Sequence, residues 1–325
     1  MLLKCTKPMS KPHLYIITGQ TASGKTQLAQ EYAEKLNGEL VNCDSRQIYK
    51  YLDIVTGKDI TNQKFHAVKK LNNFSIGYYL LQQSKIWLYD IVDPQVHFSS
   101  YDYQTCALDV ISDILKRGKT PIIVGGTYFY LKHLLYEIPS ESIPPDWKKR
   151  QALESKTVQE LQNTLFGLNK TLMNKLNESD RQNKRRLIRK IEITLNTNSA
   201  YRNSLKTTLP KLNRLLKIPD LKINFLGLQI LSKEELVQRI SQRVRDRIDK
   251  GAMAEVEKLT AMGYQDNAPG LQTIGCRQIR QFQQGLINKK QLMEQWITKE
   301  TQYAKRQLTF MKKDPAICWR LITCK

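Results

Sequence analysis

Three observations predict an α/β protein: a phosphate-loop-type parallel sheet flanked by helices, with an all-helical domain inserted into it. First, Leu14–Thr18 is an apolar, β-branched run of strand length that enters a glycine loop. The segment after the loop places Leu28, Ala29, Tyr32, Ala33 and Leu36 at helical spacing. Second, further short apolar runs alternate with helical periodicity as far as Val124, the pattern of parallel strands joined by crossover helices. Third, the texture changes between Ile138 and Pro145. From Trp147 to about Leu215 the chain is helical and rich in Lys, Arg and Asn, with no convincing strand, and Asn224–Leu228 then resumes as a strand. The expected division is a core begun by residues 1–138, an inserted helical domain at 139–215, and core completion with C-terminal helices at 216–325.

The first unit carries the strongest motif. Gly19-Gln20-Thr21-Ala22-Ser23-Gly24-Lys25-Thr26 fits G-x-x-x-x-G-K-[ST] without a mismatch, between a strand and a helix as that motif requires. Gly19 and Gly24 permit the tight turn that aims backbone N–H groups at an anion. The helix N-terminus adds partial positive charge, Lys25 a full one, and the Thr26 hydroxyl is placed to hold Mg²⁺. The loop therefore predicts a di- or triphosphate ligand and leaves the rest of that ligand open.

Glu39–Asn42 reads as the second strand, Ile86–Ile91 and Pro121–Val124 as later ones, with a helix from about Tyr101 to Arg117 between them. Tyr103, Ala107, Val110, Ile111 and Ile114 fall on that helix's core face. Ligands of such sheets sit at the carboxyl ends of the strands, so Asp44–Gln47, Asp90–Asp93 and Gly125–Thr127 are the polar segments to watch. Asp44 is either a carboxylate for base or Mg²⁺ chemistry, or a helix N-cap whose capping box Gln47 completes; spacing does not choose between them. Arg46 and Gln47 offer donors to a phosphate or a base edge. Gly125-Gly126-Thr127 reads more simply as a glycine turn with Thr127 capping a helix over Tyr128–Tyr136 than as a ligand contact. Lys233 to about Lys312 is again helical.

Lys and Arg number 52 against 30 Asp and Glu, a formal net charge of +22, which points to an extended anionic partner such as RNA. Arg239, Arg243 and Arg247 recur at i, i+4 and i+8, opposite Leu236, Ile240, Val244 and Ile248. They form a solvated face or an anion site, and the scarcity of acidic neighbours favours the anion. Lys184, Arg185, Arg186, Arg189 and Lys190 make a denser cluster around Leu187, Ile188 and Ile191, and Tyr303–Gln307 is a third basic-aromatic segment. Together they suit a surface that reads a folded polyanion by its phosphates. The six cysteines include no C-x-x-C pair and no zinc spacing, so reduced thiols are expected. With no membrane-length apolar run and no signal-peptide core at Met1–Thr6, a soluble cytoplasmic protein is expected, taken here as a monomer.

In this order the motifs resemble one family, the tRNA dimethylallyltransferases, along nearly the whole chain. Gly19–Thr26 is similar to its G-P-T-A-S-G-K-T, Asp44–Gln47 to D-S-R-Q, Val124–Thr127 to V-G-G-T, and Arg186–Arg189 with Glu192 to R-I-x-R-A-L-E. Arg239–Arg243 matches R-I-x-x-R, Gly251 with Glu255-Val256 G-x-x-x-E-V, Ile274–Gln278 the I-G-Y-R/K-E/Q stretch, and Tyr303–Gln307 Y-A-K-R-Q. A phosphate loop of this sort normally takes ATP or GTP. The resemblance instead implies the diphosphate of dimethylallyl diphosphate, bound by Gly19–Thr26 with Mg²⁺ on Thr26. It also implies Asp44 as general base on the exocyclic amine of the adenosine at tRNA position 37, next to the anticodon, and Arg239 or Arg243 reaching the diphosphate from the far side. Contacts to the anticodon stem-loop are implied for Asp44, Ser45, Arg46, Gln47, Thr127, Arg185, Arg186, Leu187, Ile188 and Arg189. A second set is implied for Gln272, Thr273, Ile274, Gly275, Cys276 and Arg277. Gln20 departs from the family's Pro, Thr56–Asp59 from I-G-T-A-K-P, Tyr128-Phe129-Tyr130 from G-L-Y, Asn196–Asn198 from T-G, and Thr309–Met311 from T-W-F. Read from the residues alone, a small-molecule kinase and a nucleotide-gated RNA-binding module compete with the transferase. The kinase reading leaves the +22 charge and the basic helical insertion unexplained.

Overall fold

Strand β1 (His13–Gly19) lies inside the sheet, and its burial on both faces explains the unbroken apolar run Leu14–Ile17. The computed structural model describes residues 11–60, 63–136, 143–196 and 218–322. The chain divides into two compact units, residues 1–134 with 215–325, and residues 135–214.

In the first unit β1 pairs in parallel with β6 (Thr120–Val124) on one side and β7 (Lys222–Ile230) on the other. Beyond β6 come β2 (Gly38–Asn42) and β5 (Ser84–Trp87), also parallel. Beyond β7 is β8 (Cys318–Ile322), parallel again. The other edge is an antiparallel meander of β3 (His66–Leu71), β4 (Phe74–Leu81) and β5. The eight strands run in the order β3-β4-β5-β2-β6-β1-β7-β8. The expected parallel core is present; the meander and β8 are additions to it. The strand expected over Ile86–Ile91 ends at Trp87, because Leu88 and Asp90 take positive φ values of 67° and 55° and turn the chain out of the ladder.

Helix α1 (Lys25–Lys35) follows the glycine loop, and α2 (Ser100–Lys116) begins at a capping box in which Ser99 and Asp102 satisfy each other's backbone N–H. Helix α3 (Tyr128–Leu135) follows β6. The second unit contains α4 (Trp147–Glu154), α5 (Val158–Leu168), α6 (Lys170–Lys175), α7 (Glu178–Arg181) and α8 (Lys184–Asn196). Leu153, Leu161, Leu165, Met173, Leu176, Leu187, Ile188 and Ile191 make its core. Back in the first unit are α9 (Lys233–Asp249), α10 (Ala252–Ala261), α11 (Cys276–Gln283) and the long α12 (Lys289–Met311). Asn198 and the segment just before Ile218 lie outside the described residues. No helix among the described residues is long and apolar enough to cross a membrane.

Parallel pairing puts the ends of β1, β2 and β6 on one side of the sheet. The glycine loop, Asp44 and Gly125–Thr127 therefore meet there.

Candidate active site

The glycine loop is packed against its neighbours tightly enough to fix its shape. Gly19 has φ +139°, and a Cβ there would lie 2.2 Å from the carbonyl oxygen of Leu228 on β7, so glycine is required. The buried Gln20 side chain accepts the Ile230 N–H at 3.0 Å, and the Gln20 carbonyl accepts the Lys25 ammonium at 2.5 Å. Gly24, left-handed at φ +79°, is the N-cap of α1 and lets the chain turn directly into the helix. The Ser23 hydroxyl is buried with no partner among the described residues. A buried polar atom left this way in a phosphate loop fits a ligand oxygen. Burial of the Lys25 amine, with Arg243 nearby, lowers its pKa to about 7 against the opposing pull of Asp44.

The loop forms one wall of a cavity of about 690 Å³. Thr21–Gln27, Asp44, Arg46, Gln47, Gly125, Gly126, Arg243 and Arg247 all line it. Asp44 is held by its own turn: its N–H donates to Asn42 Oδ1 at 3.0 Å, and its Oδ1 accepts the Arg46 N–H at 2.8 Å. Residues 45–48 form turns, not a helix. The capping box weighed for Asp44 and Gln47 is therefore not formed, because Gln47 Nε2 turns away to the carbonyls of Thr56 (3.2 Å) and Gly57 (2.9 Å). Both amide donors of Gln47 are used there, so its side chain can offer a base only its oxygen. Thr127 does not spend its hydroxyl on α3. It accepts the Ser45 N–H at 3.0 Å and ties the β6 loop to the Asp44 loop.

The opposite wall, residues 53–60, is gripped from three directions. Glu255 of α10 accepts the N–H groups of Asp53, Ile54 and Val55 at 2.7–2.8 Å. The fully buried Lys58 binds the Tyr49 carbonyl and Asp53 at 2.7 Å each, and also Asp90. Asp90 in turn accepts the Tyr79 hydroxyl at 2.6 Å, and burial raises its pKa. Arg247 donates to the Thr56 carbonyl at 3.2 Å and to Glu300 of α12 at 2.9 Å. Burial, and then Arg243, bring the Arg247 pKa down to about 10.

The arginine stripe of α9 thus turns inward. Arg243 Nη1 reaches the Thr21 hydroxyl at 3.3 Å, on the phosphate loop itself. Gly57 makes room for it: its φ is +68°, and a Cβ would sit 2.7 Å from Arg243 Nη2. Arg239 is one turn back, ion-paired to Glu235 at 2.7 Å, and does not line the cavity.

The remaining expected contacts divide. Thr273 and Ile274 line the cavity. Gly275, at φ +97°, packs on Trp296, Cys276 is buried, Gln272 bonds the Asp266 carbonyl, and Arg277 is exposed. In the second unit Leu187 and Ile188 are core residues, so their side chains serve packing and not RNA contact. Arg189 is committed to Glu192 and to the Ile143 carbonyl (2.9 Å). Burial would raise the Glu192 carboxyl, but Arg150, Arg189 and the Asp146 N–H hold its pKa below the usual range. Arg185 and Arg186 are exposed, the latter paired with Asp180.

Glu300 had no signal in the sequence. Lys58, Glu255, Tyr303 and Gln307 lie in stretches compared with the family's motifs, but nothing local says which way their side chains face.

A family model described as IPP transferase matches residues 47–314. This chain belongs to the IPP transferase family. It is 32% identical over 318 residues to a tRNA dimethylallyltransferase of Acetivibrio thermocellus, covering 94% of this chain and 91% of that protein. To the protein of the same name from Anoxybacillus flavithermus it is 33% identical over 304 residues, covering 94% and 88%. Among solved structures, a full-length tRNA isopentenylpyrophosphate transferase of Bacillus halodurans aligns with a TM-score of 0.61 at 27% identity, covering 96% of this chain and 90% of that one. A eukaryotic dimethylallyltransferase acting on tRNA aligns with a TM-score of 0.70 at 26% identity, covering 95% and 74%. Like its relatives, this IPP transferase is an α/β protein with a mostly parallel sheet.

The donor set also fits a magnesium ion. No group of three or more His, Cys, Asp or Glu among the described residues could hold a metal by itself. Mg²⁺ customarily takes one or two protein oxygens and completes its shell with water and substrate phosphates. The Thr26 hydroxyl, on the cavity wall beside the phosphate loop, is a donor of that kind.

Proposed function

We propose that the cavity seats dimethylallyl diphosphate on the phosphate loop and presents its allylic carbon to the exocyclic amine of the adenosine at tRNA position 37, next to the anticodon. As an IPP transferase, the chain is an enzyme that moves a prenyl group to a tRNA adenosine. The observation that carries the finer reading is the meeting, in one cavity, of a phosphate loop, an arginine bonded to that loop, and the carboxylate of Asp44.

The steps follow from these groups. Backbone N–H groups at the start of α1, Lys25 and Arg243 surround the diphosphate, and their charge favours the departing anion as the allylic C–O bond breaks. Mg²⁺, when bound, supplies further positive charge to that leaving group, and Thr26 is the residue that would hold it. The amine lone pair forms the new C–N bond, and Asp44 accepts the proton the amine gives up. The Asp44 turn leaves its second carboxylate oxygen for this role, since Oδ1 is occupied by the Arg46 N–H. The target base must leave its stack to enter the cavity. RNA affinity comes from the basic surface, including Arg185 and Arg186, through phosphate contacts.

The test is transfer of a labelled dimethylallyl group from its diphosphate to unmodified tRNA, with ATP as the competing substrate. Label in tRNA that depends on both substrates is expected. Turnover of ATP without label in tRNA would overturn the reading.

A further inference from the structure

We propose that Gln307 is a positioning residue that sets the spacing between the phosphate loop and the loop carrying the base, an inference that rests on the cavity being the allylic diphosphate site. Gln307 is buried on α12, in the last third of the chain, yet its amide binds both loops. Oε1 accepts the Thr21 N–H at 2.9 Å, and Nε2 donates to the Gly126 carbonyl at 2.9 Å.

The first bond decides what the phosphate loop offers. Such a loop binds anions by pointing successive N–H groups inward. Thr21's N–H is already taken by Gln307, so the anion-binding set begins at Ala22. Ala22 has φ +62°, a left-handed conformation that is strained for a residue with a Cβ. Such a conformation persists only where its surroundings enforce it. Thr21, immediately before it, is held at its N–H by α12 and at its hydroxyl by Arg243 of α9. The strained turn that aims the loop is thus anchored through Gln307.

The second bond reaches the other reactant. Gly126 precedes Thr127, whose hydroxyl holds the Ser45 N–H next to Asp44. A Cβ on Gly126 would lie 2.1 Å from Gln307 Nε2, so the contact requires glycine there. Thr18, at the end of β1, adds a parallel tie by donating to the Gly125 carbonyl at 2.9 Å. One uncharged amide therefore joins the loop that seats the leaving group to the loop that orients the base. A displacement of about 1 Å between reacting groups can cost on the order of a hundredfold in rate.

Two substitutions separate positioning from packing. Gln307→Met keeps length and volume but makes neither bond. It should raise KM for dimethylallyl diphosphate about tenfold and lower kcat about tenfold or more, with KM for tRNA within about twofold of wild type. Gln307→Glu keeps the acceptor for Thr21 N–H and, when ionised, loses the donor to Gly126. It should hold the affinity for inorganic pyrophosphate, measured calorimetrically, near wild type while kcat falls. The inference is overturned if Gln307→Met keeps both constants, or if both variants lose pyrophosphate affinity and kcat in parallel with melting temperature. Failure of the underlying reading looks different, because wild-type protein would then bind pyrophosphate weakly and transfer nothing.

Discussion

Helices α8 and α9 are alike in sequence, each with arginines spaced around an apolar stripe, yet they direct that charge in opposite ways. On α9, Arg243 and Arg247 face the cavity. Arg247 is buried because Glu300 arrives from α12, 53 residues along the chain, to pair with it, and Gly57 leaves space for Arg243. On α8, Leu187, Ile188 and Ile191 take the core, while Arg185 and Arg186 are left exposed. The lesson is that an arginine stripe becomes a site only where other elements supply a carboxylate to offset burial and a glycine to give room. Without them it remains a surface, suited to a long polyanion and not to a small one.

The sharpest challenge to the cavity side of this contrast is Asp44. Asp44→Asn keeps an oxygen to accept the Arg46 N–H but removes the base. Turnover is expected to fall about 10²–10⁴-fold with little change in melting temperature. A fully active Asn variant would reduce Asp44 to a turn residue.

Next in size is Arg243→Ala. Loss of a half-buried cation beside the phosphate loop should cut kcat/KM for the allylic diphosphate about 10²–10³-fold, while the Kd for tRNA stays within about twofold. A comparable loss of tRNA affinity would erase the distinction between the two helices.

A smaller effect is set by pH. With a pKa near 7, Lys25 is partly neutral at physiological pH, and an anion on the loop restores its charge. The bound-state pKa is the higher one, so this contribution to affinity is complete below about pH 7. It declines as pH rises from there toward the bound-state pKa, by up to about tenfold per pH unit. Calorimetry of pyrophosphate binding at pH 8 in buffers of different ionisation enthalpy should show proton uptake, and Lys25→Arg should abolish it. Equal heats in all buffers for the wild type would contradict the assignment.

The smallest expected change comes from the surface side. Replacing Arg185 and Arg186 with Ala should lower the slope of log affinity against log salt by up to about two units, with kcat at saturating tRNA nearly unchanged. Arg189 is left out, because its removal would strip a partner from the buried Glu192 and confuse binding with stability. An unchanged slope would mean that this face of α8 is only solvated.

Much of the fold was legible where signals are local. The strand, loop and helix at residues 13–35 are contiguous, and the period of α2 shows in Tyr103, Ala107, Val110, Ile111 and Ile114. The edges were harder to see. Strand β3 reads His66-Ala67-Val68-Lys69-Lys70-Leu71 and is exposed along nearly its whole length, so it lacks the alternation that marks a half-buried strand. Gly77 interrupts the pattern of β4 because a side chain there would strike the His66 carbonyl and the Phe65 ring. Strand β8 is short, and its place beside β7 depends on a partner some ninety residues upstream in sequence.

By itself the sequence determined where the phosphate-loop motif lies, because its glycines, lysine and threonine fall within eight consecutive residues and such a loop acts through its own backbone. It also determined the class of fold, through periodicities that need no distant partner. Tertiary structure alone decided which polar side chains belong to the cavity. Asp44 turned out to hold a turn and not a helix, Gln47 to spend its donors on a neighbouring wall, Arg239 to stand back while Arg243 advances, and Gln307 to join two loops. The physical reason is that a polar side chain's direction depends on which partner can meet its hydrogen bonds once it is out of water. In this chain those partners come from strands and helices far apart in sequence.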